Sequence, residues 1–137
     1  MNFTSEKNGA LHGYVKGNSM WPEFIPGDIL RAERVLPSEL NSNDIIVLEY
    51  NNNEPIVHRF ISIKEGSGNM IDLCTAGDRS GEDPPFHTDT NEELLRVIGV
   101  LRKGRWKTPG RRSFPLASVI PFIIVKVHCK LVRKLFW

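Results

Sequence analysis

Apolar and polar positions in this chain fall into short runs separated by turn-forming clusters. LHGYVKG (11–17), DILRAERVL (28–36), NDIIVLEYN (43–51), PIVHRFISIKE (55–65) and NMIDLCTAGD (69–78) each gather β-branched, aliphatic and aromatic residues, the pattern of β-strands. NNNEP (51–55) and EGSGN (65–69) between them read as hairpin turns. PSEL (37–40) allows a single helical turn, and RVIGVLRKGRWK (96–107) reads as a last strand that carries the chain away from the body. The pattern predicts a mainly β fold with strongly bent, partly barrel-like antiparallel sheets.

The character changes after Pro109. PGRR (109–112) breaks the chain, SFPLASVIPFIIVKV (113–127) is apolar, and HCKLVRKLFW (128–137) alternates basic with bulky apolar residues. On a helix, Val127, Leu131, Val132, Leu135 and Phe136 would share one face, with Lys126, Lys130, Arg133 and Lys134 crowding the other. The expected division is therefore a β domain over 1–108 and a basic amphipathic tail over 109–137, helical or irregular.

Charge sharpens this division. Residues 1–100 hold all 16 acidic and 8 basic residues, whereas residues 101–137 hold 10 basic residues and none that is acidic. Such a tail suits an anionic partner. The favoured partner is an anionic membrane surface, with cations at the headgroups and Leu131, Phe136 and Trp137 among the acyl chains. Docking on the chain's own sheet or on a partner ranks next, and nucleic acid is unlikely. The apolar run is broken by Pro121 and falls short of the ~20 residues that a spanning helix needs.

With 137 residues, 40% hydrophobic and 25% charged, the chain suits one soluble compact domain. Cys74 and Cys129 have neither zinc-site nor redox spacing, so they read as reduced thiols. No N-terminal apolar run resembles a secretory leader. The expected location is cytoplasmic, peripheral at a membrane, and neither a metal nor a cofactor is implied.

The candidate chemistry starts at GNSMWPEFIPGDIL (17–30). Gly17 would permit a turn closed to other residues and leave room for a carbonyl near the Ser19 amide. Met20 and Trp21 would form an apolar floor, while Pro22 and Pro26 stiffen the rest of the loop. A serine hydroxyl is a weak nucleophile until a base takes its proton. His58 in PIVHRFISI is the candidate base, because an imidazole exchanges protons near neutral pH. Strand alternation puts His58 and Phe60 on one side, and Val57, Arg59 and Ile61 on the other. TAGDRSGEDPP (75–85) adds Asp78 and Asp83, either of which could orient the imidazole.

In this order, GNSMWPEFIPGDIL, NDIIVLEY, PIVHRFISI, TAGDRSGEDPP and RVIGVL resemble the signal peptidase I and LexA-like serine peptidase superfamily, from about Gly17 to Leu101. With His58 where other members carry lysine, the chain is similar to the Ser-His branch typical of endoplasmic-reticulum and archaeal signal peptidases. The resemblance implies a serine endopeptidase: Ser19 as nucleophile, His58 as general base, and a partner carboxylate, Asp83 before Asp78. It also implies a peptide or preprotein substrate with small residues before the cut, held as an extended strand near Gly17, Asn18, Met20, Trp21 and Pro22. Gly77-Asp78-Arg79 replaces the usual Gly-Asp-Asn. Gly17 stands where some relatives carry a serine, so the oxyanion would rest on backbone amides, chiefly that of Ser19. The alternative is a non-catalytic peptide-binding module on a degenerate peptidase fold. A self-cleaving regulator is weakest, since only 16 residues precede Gly17.

Overall fold

The computed structural model describes residues 4–5, 9–50 and 54–110. The tail from 111 onward, with Cys129, lies outside them, as does the centre of the NNNEP turn. Among the described residues, ten strands form one antiparallel sheet: β1 Thr4–Ser5, β2 Leu11–Tyr14, β3 Ile29–Val35, β4 Ile45–Leu48, β5 Ile56–Glu65, β6 Met70–Gly77, β7 Gly81–Glu82, β8 Phe86–Asp89, β9 Leu94–Arg102 and β10 Arg105–Lys107. The order along the sheet is β1-β2-β3-β9-β4-β5-β6-β7, with β10 on β9 and β8 on β6. The sheet is bent and does not close into a barrel. Register shifts between Arg31 and Ala32 in β3, and between Phe60 and Ser62 in β5, mark bulges, which sharpen local twist. Pro37–Glu39 is the single helical turn expected there.

β4 shows why the sheet must fold over. All four residues of IIVL are buried, which a sheet with one wet face does not permit. Ile45 and Val47 join Val15, Met20, Phe24, Leu30, Val57, Val97 and Val100 in one core. Ile46 and Leu48 join Val35, Phe60, Ile71, Leu73 and Leu94 in a second. β4 is thus the shared wall of two cores, and the neighbouring His58 strand is held on both sides.

RVIGVLRKGRWK behaves otherwise than its pattern predicts. It does not lead the chain away from the body: β9 runs through the middle of the sheet, bonded to β3 and β4, and β10 turns back on it. The reason is non-local. Leu94, Val97 and Val100 complete cores begun by residues far earlier in the sequence, and this burial outweighs the basic residues beyond them.

Candidate active site

The loop that carries Ser19 is closed at its neck by two bonds: Val15 N–H to the Asp28 carbonyl and Gly27 N–H to the Val15 carbonyl, each 2.9 Å. Gly27 takes a φ of 95°, which suits its lack of a side chain. Inside the loop, the Phe24 amide bonds the Met20 carbonyl at 2.9 Å, and both side chains enter the first core. Asp28 accepts from Arg102 Nε at 2.9 Å and Nη2 at 2.5 Å, and Arg102 also donates to the Glu23 carbonyl at 2.9 Å. Burial pushes the Asp28 carboxyl up, but bonds from Arg102 and the Ile25 amide, with the guanidinium charge, leave it below its ordinary value. Core packing from one side and this ion pair from the other hold the loop in place.

Two expectations for this loop need correction. Gly17 is not in the left-handed region, so its role is not a turn forbidden to other residues. A side chain there would meet nothing within 4 Å, so the position is simply open. Met20 is no floor for a ligand either: it is buried in the first core, because its spacing from Phe24 turns both inward. Gly17, Asn18, Trp21 and Pro22 are exposed.

Ser19 Oγ lies 2.9 Å from His58 Nε2. His58, 5% exposed, pairs with Ile46 across β4 and β5. Its other ring nitrogen, Nδ1, is hydrogen-bonded to the Asp83 carboxylate. The Asp83 carboxylate also accepts from the Thr75 hydroxyl at 2.8 Å, while the Asp83 amide bonds the Thr75 carbonyl at 2.9 Å. A proton on Nδ1 facing the carboxylate leaves Nε2 as the acceptor for the serine hydroxyl. Ser19, His58, Asp83 and Thr75 thus form one chain of hydrogen bonds from surface to interior.

Asp78 is not beside the imidazole. It receives Arg59 Nε at 2.7 Å and Nη2 at 3.1 Å, a bidentate pair with side chains only 6% and 3% exposed. Arg59 Nη1 also donates to the Asn43 carbonyl at 3.3 Å and the Gly110 carbonyl at 3.0 Å. Glu23 takes the Gly110 amide at 2.6 Å. The residue after His58 therefore ties together β5, the end of β6, the Ser19 loop and the segment leaving β10.

The β6–β7 turn completes the site. The Arg79 amide donates to the Ser19 carbonyl at 2.8 Å. Among the described residues, no acceptor engages the Ser19 amide. A Cβ at Gly77 would sit 2.2 Å from Ser80 Oγ, 2.9 Å from His58 Nε2 and 3.0 Å from the Ser19 carbonyl oxygen, so a bare backbone lets this turn approach the Ser19–His58 pair.

The sequence reading did not single out Thr75, Arg59, Glu23 or Gly77 for these contacts. A signal existed for Thr75. Alternate positions Ile71, Leu73, Thr75 and Gly77 of β6 are buried, and a hydroxyl in an apolar row needs a partner.

Among the described residues, no group of three or more His, Cys, Asp or Glu side chains could hold a metal ion, and no helix is long and apolar enough to cross a membrane. Cys74 is a half-buried free thiol.

No protein-family model and no solved structure matches the chain. It is similar to the signal peptidase complex catalytic subunit SEC11 of Plasmodium falciparum (isolate 3D7), with 29% identity over 96 residues, 69% of this chain and 51% of that one. The chain spans about half the length of the curated relative it matches. This similarity and the bent antiparallel sheet support the resemblance that the motifs carry to the Ser-His branch of the signal peptidase I and LexA-like superfamily.

Proposed function

We propose that the chain is a serine endopeptidase that cleaves a precursor peptide or preprotein through an acyl-enzyme. The observation that carries this reading is the 2.9 Å approach of Ser19 Oγ to His58 Nε2, with Asp83 on the opposite ring nitrogen. His58 Nε2 takes the hydroxyl proton as Ser19 Oγ attacks the peptide carbonyl carbon. Asp83 holds the ring orientation and stabilises the imidazolium. The oxyanion that develops is met by the Ser19 amide, which has no other acceptor among the described residues. His58 then gives its proton to the departing amine. In the second half it draws a proton from water, which attacks the ester carbonyl, and returns that proton to Ser19 Oγ as the acyl–oxygen bond breaks.

The substrate lies extended near Gly17, Asn18 and Trp21, with small residues before the cut. The Arg59–Asp78 pair acts on positioning rather than on protons. Residues 109–137 form a separate basic tail that begins at the Gly110 clamp and places the enzyme at an anionic membrane surface.

The test is cleavage of a peptide series by wild type, Ser19→Ala and His58→Ala. Both variants should lose cleavage while remaining folded at the assay temperature. Full turnover by either would remove the proposal, and binding of the same peptides without turnover in the wild type would leave a peptide-binding module.

A further inference from the structure

The carboxylate that orients His58 stands on a stretch of chain poor in backbone donors. Asp83 follows the two-residue strand β7, and Pro84 and Pro85 come next, before β8 begins at Phe86. Proline carries no N–H, so neither of the two can be anchored through its own amide. The Asp83 amide bonds the Thr75 carbonyl at 2.9 Å, and Phe86 is next in register, opposite Leu73 on β6. Between these two points the hold comes from another strand's end: the Tyr50 hydroxyl donates to the Pro84 carbonyl at 3.0 Å.

Tyr50 lies just past the end of β4, half-buried against the second core. Its ring meets that of Phe86 edge-on, with centroids 5.2 Å apart and planes at 87°. One side chain therefore grips the Asp83 loop twice, by its hydroxyl at Pro84 and by its ring at Phe86. Burial pushes the Tyr50 phenol up, the neighbouring Thr75 hydroxyl draws it down and the Asp83 charge raises it, leaving it above its ordinary value. The phenol keeps its proton at neutral pH and acts as a donor. Asp83 depends on such a hold. Both side-chain bonds it receives, from His58 Nδ1 and from Thr75 Oγ1, end on the same oxygen, Oδ2. Two donors on one atom leave the rest of the carboxylate free to swing about it, so the backbone on the Pro84 side decides whether Oδ2 stays in line with Nδ1.

We propose that Tyr50 is a positioning residue of this site: by holding Pro84 and Phe86 it keeps the Asp83 carboxylate on His58 Nδ1, and so keeps the imidazole in the tautomer whose Nε2 accepts from Ser19. Tyr50 acts through Asp83 and not on the reacting atoms. Its effect on rate rests on the peptidase reading, whereas its effect on the imidazole does not.

The test is nitrogen–proton NMR of the full chain carrying isotope-labelled histidine, under alkaline conditions and without substrate, where long-range correlations report which ring nitrogen bears the proton. Among the 4 histidines, His58 is identified by its loss in His58→Gln. Wild type should carry the His58 proton on Nδ1. Tyr50→Phe keeps the ring on Phe86 and removes only the hydroxyl. It should lower the ratio of Nδ1-protonated to Nε2-protonated His58 about fivefold, the worth of one neutral hydrogen bond. On a cleaved peptide it should lower kcat by a similar factor with KM little changed. Tyr14→Phe, on the exposed tyrosine of β2, should change neither. An unchanged ratio in Tyr50→Phe would overturn the inference whatever the rate does. So would an equal change in Tyr14→Phe, which would mark a general loosening, or a wild-type His58 protonated on Nε2. A lowered ratio in a chain that cleaves no peptide would keep the positioning role and remove the peptidase reading; an unchanged ratio in a chain that cleaves would do the reverse.

Discussion

Gly77→Ala isolates active-site geometry from the stability of the sheet. The backbone there is already open to an alanine, since its φ is outside the left-handed region. The obstacle is the new methyl, 2.2 Å from Ser80 Oγ, 2.9 Å from His58 Nε2 and 3.0 Å from the Ser19 carbonyl. Ser80 is exposed and can rotate away. The imidazole is fixed by Asp83, and the carbonyl by the Arg79 amide, so the remaining strain falls on the 2.9 Å Ser19–His58 bond. Relief requires a shift of roughly half an ångström, and misplacements approaching an ångström cost on the order of a hundredfold in rate, about 2.7 kcal/mol on the barrier. Overpacking of this kind costs about 1–3 kcal/mol of stability, which a fold with two cores should survive. The assay is kcat/KM on a cleaved peptide beside a thermal melt. A loss of roughly tenfold to a hundredfold is expected, with the protein still folded at the assay temperature. Adding Ser80→Ala should not restore the rate, because it removes only one of the three contacts. Wild-type kcat/KM in Gly77→Ala would refute the reasoning, as would full rescue by Ser80→Ala.

Neighbouring contacts give further expected outcomes. Asp83→Asn should lower kcat by about a hundredfold to ten-thousandfold with a smaller change in KM, read from steady-state kinetics; an equal loss in Asp78→Asn with no loss of stability would reverse the two carboxylate roles. Arg59→Leu should destabilise the fold by about 3–5 kcal/mol by removing the bidentate guanidinium from the buried Asp78 carboxylate, and Arg59→Met with Asp78→Leu should recover much of that in urea unfolding. Asp28 has its folded pKa below the unfolded value, so its contribution to stability is present above the ordinary carboxylate range and is lost as pH falls through the folded value. Asp28→Asn should therefore lower the melting temperature at neutral pH and flatten its decline on the acid side.

Some of this was legible in the chain because the signals were local. The Gly-Asn-Ser-Met box, the histidine inside an apolar strand and the two aspartates of the loop after Gly77 lie in compact stretches with distinct chemistry, and five strands announced themselves by composition. What escaped depends on distant neighbours. β9 looks terminal in sequence, yet it is central because Leu101 meets Ile29 and Leu95 meets Val47. β7 and β8 are short strands on either side of Pro84-Pro85, so their local signal is that of a loop. Arg59 read as one more alternating strand residue, and only the folded sheet sets Asp78, Asn43 and Gly110 around it. Gly17 and Gly77 show the limit most clearly. The glycine beside the nucleophile has open space, and the one nearly sixty residues later is pressed against the Ser19–His58 pair.

The most direct measurement of the central claim is rapid acid quench of the enzyme during peptide turnover, with mass spectrometry of its proteolytic fragments. Proton transfer from Ser19 to His58 predicts an acyl adduct on the fragment bearing Ser19, formed by wild type and absent from His58→Ala. Turnover accompanied by an adduct on any other residue, or an undiminished Ser19 adduct in His58→Ala, would contradict it.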